Sequence, residues 1–472
     1  MSMTLIDTSR FLKVVVVGMK PKTGVSRPTG AAIDSRAVKK GNLFFCLQGE
    51  KVDGHDFAGA AVEKGAIAII ASHDPFPGQS APVPVMIVPD VTDALIHLAK
   101  KHRESARGTV IAVTGTSGKT TVKEVLASVL ARSGKTAKNE LNHNNRIGLP
   151  LSMLNASSNA AFWVMEIGIS RPGDMDELGS ILQPDVGLII NADMGHTQEL
   201  GDKGTAFYKA RLLAHLAKHG QAVVSADYTD LVRQAETYGV PLTYFATLDD
   251  RIPYHAHYLG PKEGSFGAYT LSMEGRQIVL DAPFQGSYGA ENVAAIGAVA
   301  HTLGLTDTEI VEGFAVAKLP QQRFSRKQLG AFTLIDDSYN ANPLSMSRML
   351  DAAADAARSR KENLLLVLGE MGELGADSAK CHYALGRHVA KLAPGFFCWK
   401  GGMRAEVERG LHDAGYTGSC YPVTDAASFV KAYESGKPDK GVILFKGSRV
   451  NRMEELVAAF AATRRKGKGN AL

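Results

Sequence analysis

From residue 108 onward, short apolar runs alternate with helix-forming stretches, and this alternation restricts the fold more than any other property of the chain. The runs TVIAVTG, FWVMEIG, DVGLIIN and QAVVSAD are apolar almost throughout, the pattern of strands buried on both faces. Between them the sequence predicts a helix over 119–132, stopped by Gly134, and one around 205–219, stopped by Gly220. Buried strands alternating with helices imply an α/β fold with a parallel, doubly wound sheet.

The pattern is interrupted on both sides. Residues 246–287 are Gly-rich and polar with short-strand character, so an antiparallel insertion or edge is expected there, closed by the helix GAENVAAIGAVAHTLG. After a link at 319–326 the alternation restarts: AFTLIDD, a helix from Leu344, NLLLVLGEM, a helix near His382, FFCW, another helix, GVILFKGS and a last helix. Upstream, NLFFCL (42–47) and AIAIIA (66–71) alternate with loops until the polar stretch KKHRESARG, which reads as a link. Three units follow, 1–107, 108–318 and 319–472, in keeping with 472 residues at roughly 100–200 per domain. No period of 20–50 residues recurs, which argues against a solenoid.

Hydrophobic residues at 45% and charged residues at 21% disfavour a disordered or coiled-coil chain. The net charge is only +5, and the one dense basic run, Arg464, Arg465, Lys466 and Lys468, sits at the carboxyl end. It reads as a solvated terminus, since nucleic-acid binding needs a folded basic face. Cys46, Cys381, Cys398 and Cys420 show no CxxC spacing, which fits core thiols in a reducing compartment and no zinc ribbon. The apolar run Val14–Gly18, flanked by Lys13 and Lys20, is too short for a signal peptide or a membrane span. A soluble cytoplasmic enzyme, with neither nucleic acid nor membrane as partner, is therefore expected.

Between the first of these strands and its helix lies TGTSGKTT, Thr114–Thr121. In that context a Gly-rich loop points backbone N–H groups and a helix N-terminus at phosphates. The spacing is Gly115-x-x-Gly118-Lys119-Thr120, since Val113 stands where the commoner pattern has its first glycine. Lys119 would reach the terminal phosphates and Thr120 would hold Mg²⁺; a turn that merely caps a helix needs no Lys-Thr pair in this register. Glu166 ends the strand FWVMEIG at the edge where open α/β sheets bind ligands, a place for a metal ligand or for an ordinary surface glutamate. His196 follows the next strand at the equivalent edge, with surface and ligand readings in balance.

Lys209 shares a helical stripe with Leu212, Leu213 and Leu216. Burial would favour its neutral, reactive amine, which CO₂ could convert to a carbamate and so to an oxygen ligand. The other reading has the ammonium reaching water at the helix edge, and the residues alone favour that one.

TGTSGKTT, NHNNRIGLP (142–150), MEIG, the loop Asn191 to His196 and the Lys209 helix together resemble the Mur ligases, ATP-dependent amide-forming enzymes of bacterial peptidoglycan synthesis. IDSRAVKKGNLFF and KVDGHDF resemble the UDP-sugar-binding domain of members that add the third residue or the terminal dipeptide. IDDSYNANPLSM, LGEMGELG and FKGSR are similar to the dipeptide-adding branch. The resemblance implies a small α/β nucleotide-sugar domain, a central P-loop ATPase-like sheet and a Rossmann-like carboxyl-terminal domain. It implies ATP and Mg²⁺, UDP-N-acetylmuramoyl-tripeptide and D-alanyl-D-alanine as substrates, and a monomer.

By the same resemblance Lys209 is carbamylated and bridges to a second Mg²⁺, with Thr120, Glu166 and His196 as ligands; Lys119, Lys209 and His196 form the catalytic set. Gly115, Thr116, Ser117, Gly118, Lys119, Thr120 and Thr121 would cradle the phosphates. Asn292, Arg323 and one of Asp336 and Asp337 would read the adenosine. Ser35 and Arg36 would line the uridine nucleotide, and Asn144, Asn145, Asn340 and Asn342 would contact substrate. The chain departs from the family at Tyr288, where histidine is frequent, at TQELG after His196, and at Gln322-Arg323, where Gly-Arg is usual. The alternatives are another Mur-type or cyanophycin-type ligase, which SYNANP and DSR weigh against, and a non-catalytic nucleotide-binding subunit, which an intact Thr120, Glu166 and Lys209 set weighs against.

Overall fold

The apolar runs form three separate sheets in a computed structural model that describes residues 3–17, 27–140, 142–193, 203–262, 267–436 and 438–466. The first sheet has the order Val15–Val17, Val85–Ile87, Ala68–Ala71, Asn42–Phe45, Gly30–Ala32, parallel except for the first pair. Of the segment read as a polar link after it, residues 104–108 are turn and irregular chain, and the rest is helical. Lys100 to Arg103 complete the helix Val91–Arg103, in which buried His102 places Nε2 2.8 Å from the Ala156 carbonyl and Arg103 donates to the Leu182 carbonyl at 3.0 Å. The polar composition marks a seam between packed elements rather than a free connection.

Asn155 fastens the same seam by accepting from the Ala31 N–H at 3.1 Å and donating to the Ala31 carbonyl at 3.0 Å. A β-carbon on Gly30 would lie 2.2 Å from the Asn155 Oδ1, so only glycine permits this approach. One hydrophobic cluster crosses the seam, from Leu43 and Ile70 through Leu98 to Trp163, Met165 and Leu212. Each such side chain contributes roughly 1.5–3 kcal/mol on burial, so the first two sheets are held on one core.

The central sheet has nine strands in the order Arg276–Ala282, Gly267–Met273, Tyr254–Pro261, Leu242–Ala246, Gln221–Ser225, Val186–Ile189, Thr109–Thr114, Phe162–Glu166, Thr136–Lys138. The last seven of these are parallel. The strands within 246–287 add the antiparallel edge anticipated from their composition. Thr109–Thr114 lies between Phe162–Glu166 and Val186–Ile189; the chain leaves it toward Thr136–Lys138 on one side and later crosses from Phe162–Glu166 to Val186–Ile189 on the other, so a crevice opens beyond its carboxyl end.

The third sheet has the order Ser325–Leu329, Phe332–Asp337, Gly441–Lys446, Leu364–Gly369, Phe396–Lys400, Cys420–Pro422. Its cores are its own, one around Leu366, Leu368 and Trp399 and one around Phe332, Tyr433 and Phe460. Where one helix was expected after FFCW there are two, Arg404–Asp413 and Ala426–Gly436, separated by the three-residue edge strand. So short a strand carries no periodicity to read.

The basic tail also differs from expectation. The last helix runs Met453–Lys466, and the Arg464 guanidinium lies 4.9–5.7 Å from the ring centroids of Tyr433, Phe332 and Phe460; Lys468 falls outside the described residues. Cys46, Cys381 and Cys398 are buried, Cys420 is half-buried, and all four are free. Among the described residues no helix is long and apolar enough to cross a membrane.

Candidate functional site

The Gly-rich loop leaves the carboxyl end of Thr109–Thr114 and enters the helix Lys119–Leu130. Gly118 makes the turn at φ +82, a left-handed conformation that suits glycine. Asn191, beyond the end of the neighbouring strand, accepts from the Thr116 N–H at 2.8 Å and the Ser117 N–H at 3.0 Å, which fixes the loop from outside. The first amides of the helix have no partners within it and face outward for an anion. Lys119, half-buried, curls back to donate to the Gly115 carbonyl at 2.9 Å. Burial holds its pKa below the usual lysine value, the Arg323 cation adds to this, and the Glu166 carboxylate opposes it.

Strand register brings Glu166 beside the loop, because Val113 and Glu166 are direct partners. Thr120 Oγ1 donates to Glu166 Oε2 at 2.8 Å, and Asn144 Nδ2 donates to Oε1 at 2.7 Å. Buried Asn139 clamps the Glu166 backbone from both sides, accepting its N–H at 2.9 Å and donating to its carbonyl at 3.0 Å. A carboxylate and a hydroxyl thus sit side by side on the floor of the crevice, held by two amides.

The third sheet supplies the opposite wall. Asp337 and Lys446 are register partners on adjacent strands, and the Lys446 ammonium donates to the Asp337 carboxylate and, at 3.0 Å, to the Asn340 carbonyl. Asp336 turns the other way and accepts from the Ser338 N–H at 3.1 Å, an Asx turn, with burial raising its pKa. Of the two aspartates, Asp337 faces the crevice and Asp336 caps the turn. Arg323 stacks its guanidinium 4.3 Å from the Tyr339 ring centroid. Its neighbours Gln322 and Phe324 have φ of +62 and +54, so the Gln322 that departs from the family pattern occupies a conformation that favours glycine.

Together these walls enclose a cleft of about 500 Å³. Thr116, Ser117, Gly118, Lys119, Thr120, Thr121, Asn144, Asn145, Glu166, Asn292, Arg323, Asp337, Asn340 and Asn342 all line it. Asn292 is buried, and its Oδ1 has no hydrogen-bond partner, an acceptor aimed at the cleft with nothing to accept from. Asn342 caps the helix Pro343–Arg360 and donates to the Thr116 carbonyl at 3.2 Å, a direct link from the third sheet's side to the phosphate loop. Gly115 sits beneath the loop rather than in the lining.

Other expected residues lie elsewhere. Ser35 and Arg36 form a short helical turn on the first sheet's side, where the exposed Arg36 pairs with Asp34 at 2.7 Å, away from the cleft lining. His196 and the TQELG segment lie outside the described residues. Lys209 is 1% exposed, so its amine does not reach water; burial first, and the Lys119 cation second, push its pKa well below the usual lysine value. His382, buried, spends Nε2 accepting from the Met371 N–H at 3.0 Å and Nδ1 on the Ser378 carbonyl at 2.7 Å, a structural role.

Residue patterns alone did not single out Asn139, Tyr228, Glu291, Arg348 or Lys446. Glu291 carries the one available signal, a lone acid within the otherwise apolar helix Tyr288–Thr302. Its buried carboxylate receives both guanidinium nitrogens of Arg348, at 2.7 and 2.9 Å, the Tyr228 hydroxyl at 3.0 Å and the Asn191 amide at 2.8 Å.

Residues 28–103 match the model of the Mur ligase family catalytic domain, residues 113–300 the Mur ligase middle domain, and residues 322–449 the Mur ligase glutamate ligase domain. The chain is 30% identical to the UDP-N-acetylmuramoyl-tripeptide–D-alanyl-D-alanine ligase of Haemophilus influenzae, over 90% of this chain and 92% of that one. It is 32% identical to the enzyme of the same name from Synechocystis sp., over 83% of each. Among solved structures, MurF from Acinetobacter baumannii superposes with a TM-score of 0.83 at 27% identity, covering 97% of this chain and 98% of that one. MurF of Thermotoga maritima in complex with ADP superposes at 0.78 and 26% identity, covering 93% and 98%.

Proposed function

The chain belongs to the Mur ligase family, and on that premise we propose that it is an ATP-dependent ligase that joins D-alanyl-D-alanine to UDP-N-acetylmuramoyl-tripeptide during peptidoglycan precursor synthesis. The observation that carries this reading is the cleft itself: a phosphate loop and a buried carboxylate on one wall, a stacked arginine and an aspartate on the other, in a chain whose relatives over nearly its full length bear that name. In this reading the units 1–107, 108–318 and 319–472 hold the nucleotide sugar, ATP, and the closing face toward ATP and dipeptide.

The reaction is two displacements. A carboxylate oxygen of the tripeptide attacks the γ-phosphorus of ATP; the new O–P bond forms as the bond to ADP breaks, giving an acyl phosphate. The dipeptide amine then attacks the acyl carbon, the tetrahedral intermediate expels phosphate, and the amine proton is lost. Lys119 leaves the loop carbonyls to meet the terminal phosphates, while the helix amides hold the rest of the triphosphate. Asn292 offers its vacant acceptor, and Arg323 with Tyr339 a flat surface, to the nucleoside. Docking of the third unit excludes water, which would hydrolyse the acyl phosphate.

For Mg²⁺ the donor set fits, since Thr120 and Glu166 place two hard oxygens together beside the phosphate loop. When bound, Mg²⁺ neutralises charge on the transferring phosphoryl group. Lys209, buried and disposed toward its neutral amine, suits reaction with CO₂ to a carbamate, with His196 as a further ligand.

Phosphate release tests the reading, with UDP-N-acetylmuramoyl-tripeptide and D-alanyl-D-alanine set against single amino acids. Release that requires both substrates is expected. Release with a single amino acid and no dipeptide would assign the chain to another ligase of the family, and release with neither pairing would refute the activity.

A further inference from the structure

The Glu291 cluster connects two parts of the molecule that the proposed reaction must bring together; Glu291, Tyr228 and Asn191 lie behind the cleft, and Arg348 reaches its lining. Glu291 belongs to the helix Tyr288–Thr302 of the central unit, and Arg348 to the helix Pro343–Arg360 of the third. The Glu291 side chain is 4% exposed and that of Arg348 18%. Their bidentate pairing is the geometry in which a carboxylate and a guanidinium match best. The Arg348 guanidinium also donates to the Tyr228 hydroxyl at 3.0 Å, closing a ring of hydrogen bonds around the carboxylate.

The fourth contact gives the cluster its consequence. Asn191 donates its amide nitrogen to Glu291 at 2.8 Å, and this forces its amide oxygen to face the other way, onto the Thr116 and Ser117 N–H groups. An unbroken series therefore runs from Arg348 through Glu291 and Asn191 to the backbone of the phosphate loop. A carboxylate this buried is costly to leave without its cation. If the third unit swings away, Arg348 leaves with it and Glu291 is under-compensated, which loosens the orientation of Asn191.

We infer that Glu291 and Arg348 are positioning residues, a latch through which docking of the third unit sets the shape of the phosphate loop. This rests on the reading of that loop as the ATP site. Nucleotide then binds a loop already shaped when the unit is docked, and bound nucleotide in return favours docking, as linkage requires.

The test uses ADP binding and small-angle X-ray scattering on the full chain, with no ligation assay, so it stands apart from the choice of substrate. Glu291→Gln, Arg348→Met and the double variant should each lose about tenfold in ADP affinity, a typical coupling magnitude. The double should lose no more than either single, and the nucleotide-free variants should have a larger radius of gyration than the parent. Arg348→Lys, which keeps the charge but not the fork, should recover part of the affinity, and it replaces Arg348→Met should that variant not fold.

A merely stabilising pair would lower the melting temperature while leaving ADP affinity and radius unchanged, and that result overturns the latch. A large loss in Arg348→Met beside a near-parental Glu291→Gln overturns it too, by making Arg348 a direct nucleotide contact.

Discussion

Replacing Lys209 with methionine should make the nucleotide-free protein more stable. The lysine is 1% exposed, and desolvation is the foremost cause of its depressed pKa. Methionine keeps an unbranched stem of similar length and has no charge to desolvate. Exchanging buried charge for well-packed apolar volume is worth up to about 1–4 kcal/mol.

The pH dependence gives the sharper reading. Between the depressed folded pKa and the ordinary value of 10.5, the unfolded chain holds a proton that the folded chain lacks. Stability therefore rises with pH across that window, and the penalty is greatest below it. The slope approaches about 1.4 kcal/mol per pH unit for one proton wherever the pH lies inside that window. Lys209→Met lacks this contribution, so the gap between the two proteins should narrow from pH 7.5 to 9.5 while all other titrations cancel.

Trp163, in the same hydrophobic cluster as Ala210 and Leu212, provides a fluorescence signal for urea unfolding in CO₂-free buffer. Adding bicarbonate should then move the parent alone. Parallel stability profiles for the two proteins, or a methionine variant weaker than its parent at pH 7.5, would refute the account of Lys209 as a desolvated amine.

Two further outcomes follow from backbone and charge on the cleft wall. Gln322→Gly should stabilise the third unit by about 0.5–1 kcal/mol, because relief of a left-handed residue at about 1–2 kcal/mol outweighs the extra entropy of glycine at roughly 0.5–1 kcal/mol. Gln322→Ala should give no gain, and thermal unfolding distinguishes them. Asp337→Ala strands the buried Lys446 ammonium and should cost about 3–5 kcal/mol, whereas adding Lys446→Met should restore most of it. Trp399, in the third unit's core, reports both.

What could be read from the residues and what could not divide along physical lines. The phosphate loop and the strand ending at Glu166 are local patterns, and each stands where its neighbours in sequence placed it; the helix expected around 205–219 is instead Gly204–Ala210 followed by a 3-10 turn Arg211–His215, which leaves Leu216 extended and outside the Lys209 stripe. Glu291 and Arg348 are 57 residues apart, and Tyr228 is 120 from Arg348, so no periodicity links them. Strand register, which propensity does not encode, decides between Asp336 and Asp337. The water-facing reading of Lys209 was the better one from its helix alone and yielded to packing from elements distant in sequence. The link at 100–108 is only half a connection, since polar side chains serve a buried seam as readily as a solvated turn, as helical Arg103 reaching the Leu182 carbonyl shows.

The cluster running from Leu43 through Leu98 to Leu212 has a consequence for how such a chain can be altered. Exchanging the first unit for another would mean rebuilding an apolar interior on both sides of a border, and even Gly30 would have to be kept for Asn155. The third unit brings its own interior and meets the rest through a smaller border, with Tyr288 packed against Phe324 and polar groups such as Asn342 and Arg348 beside them. A transplant there has fewer contacts to match, which makes it the natural place to graft a new choice of incoming amine onto an unchanged phosphate chemistry.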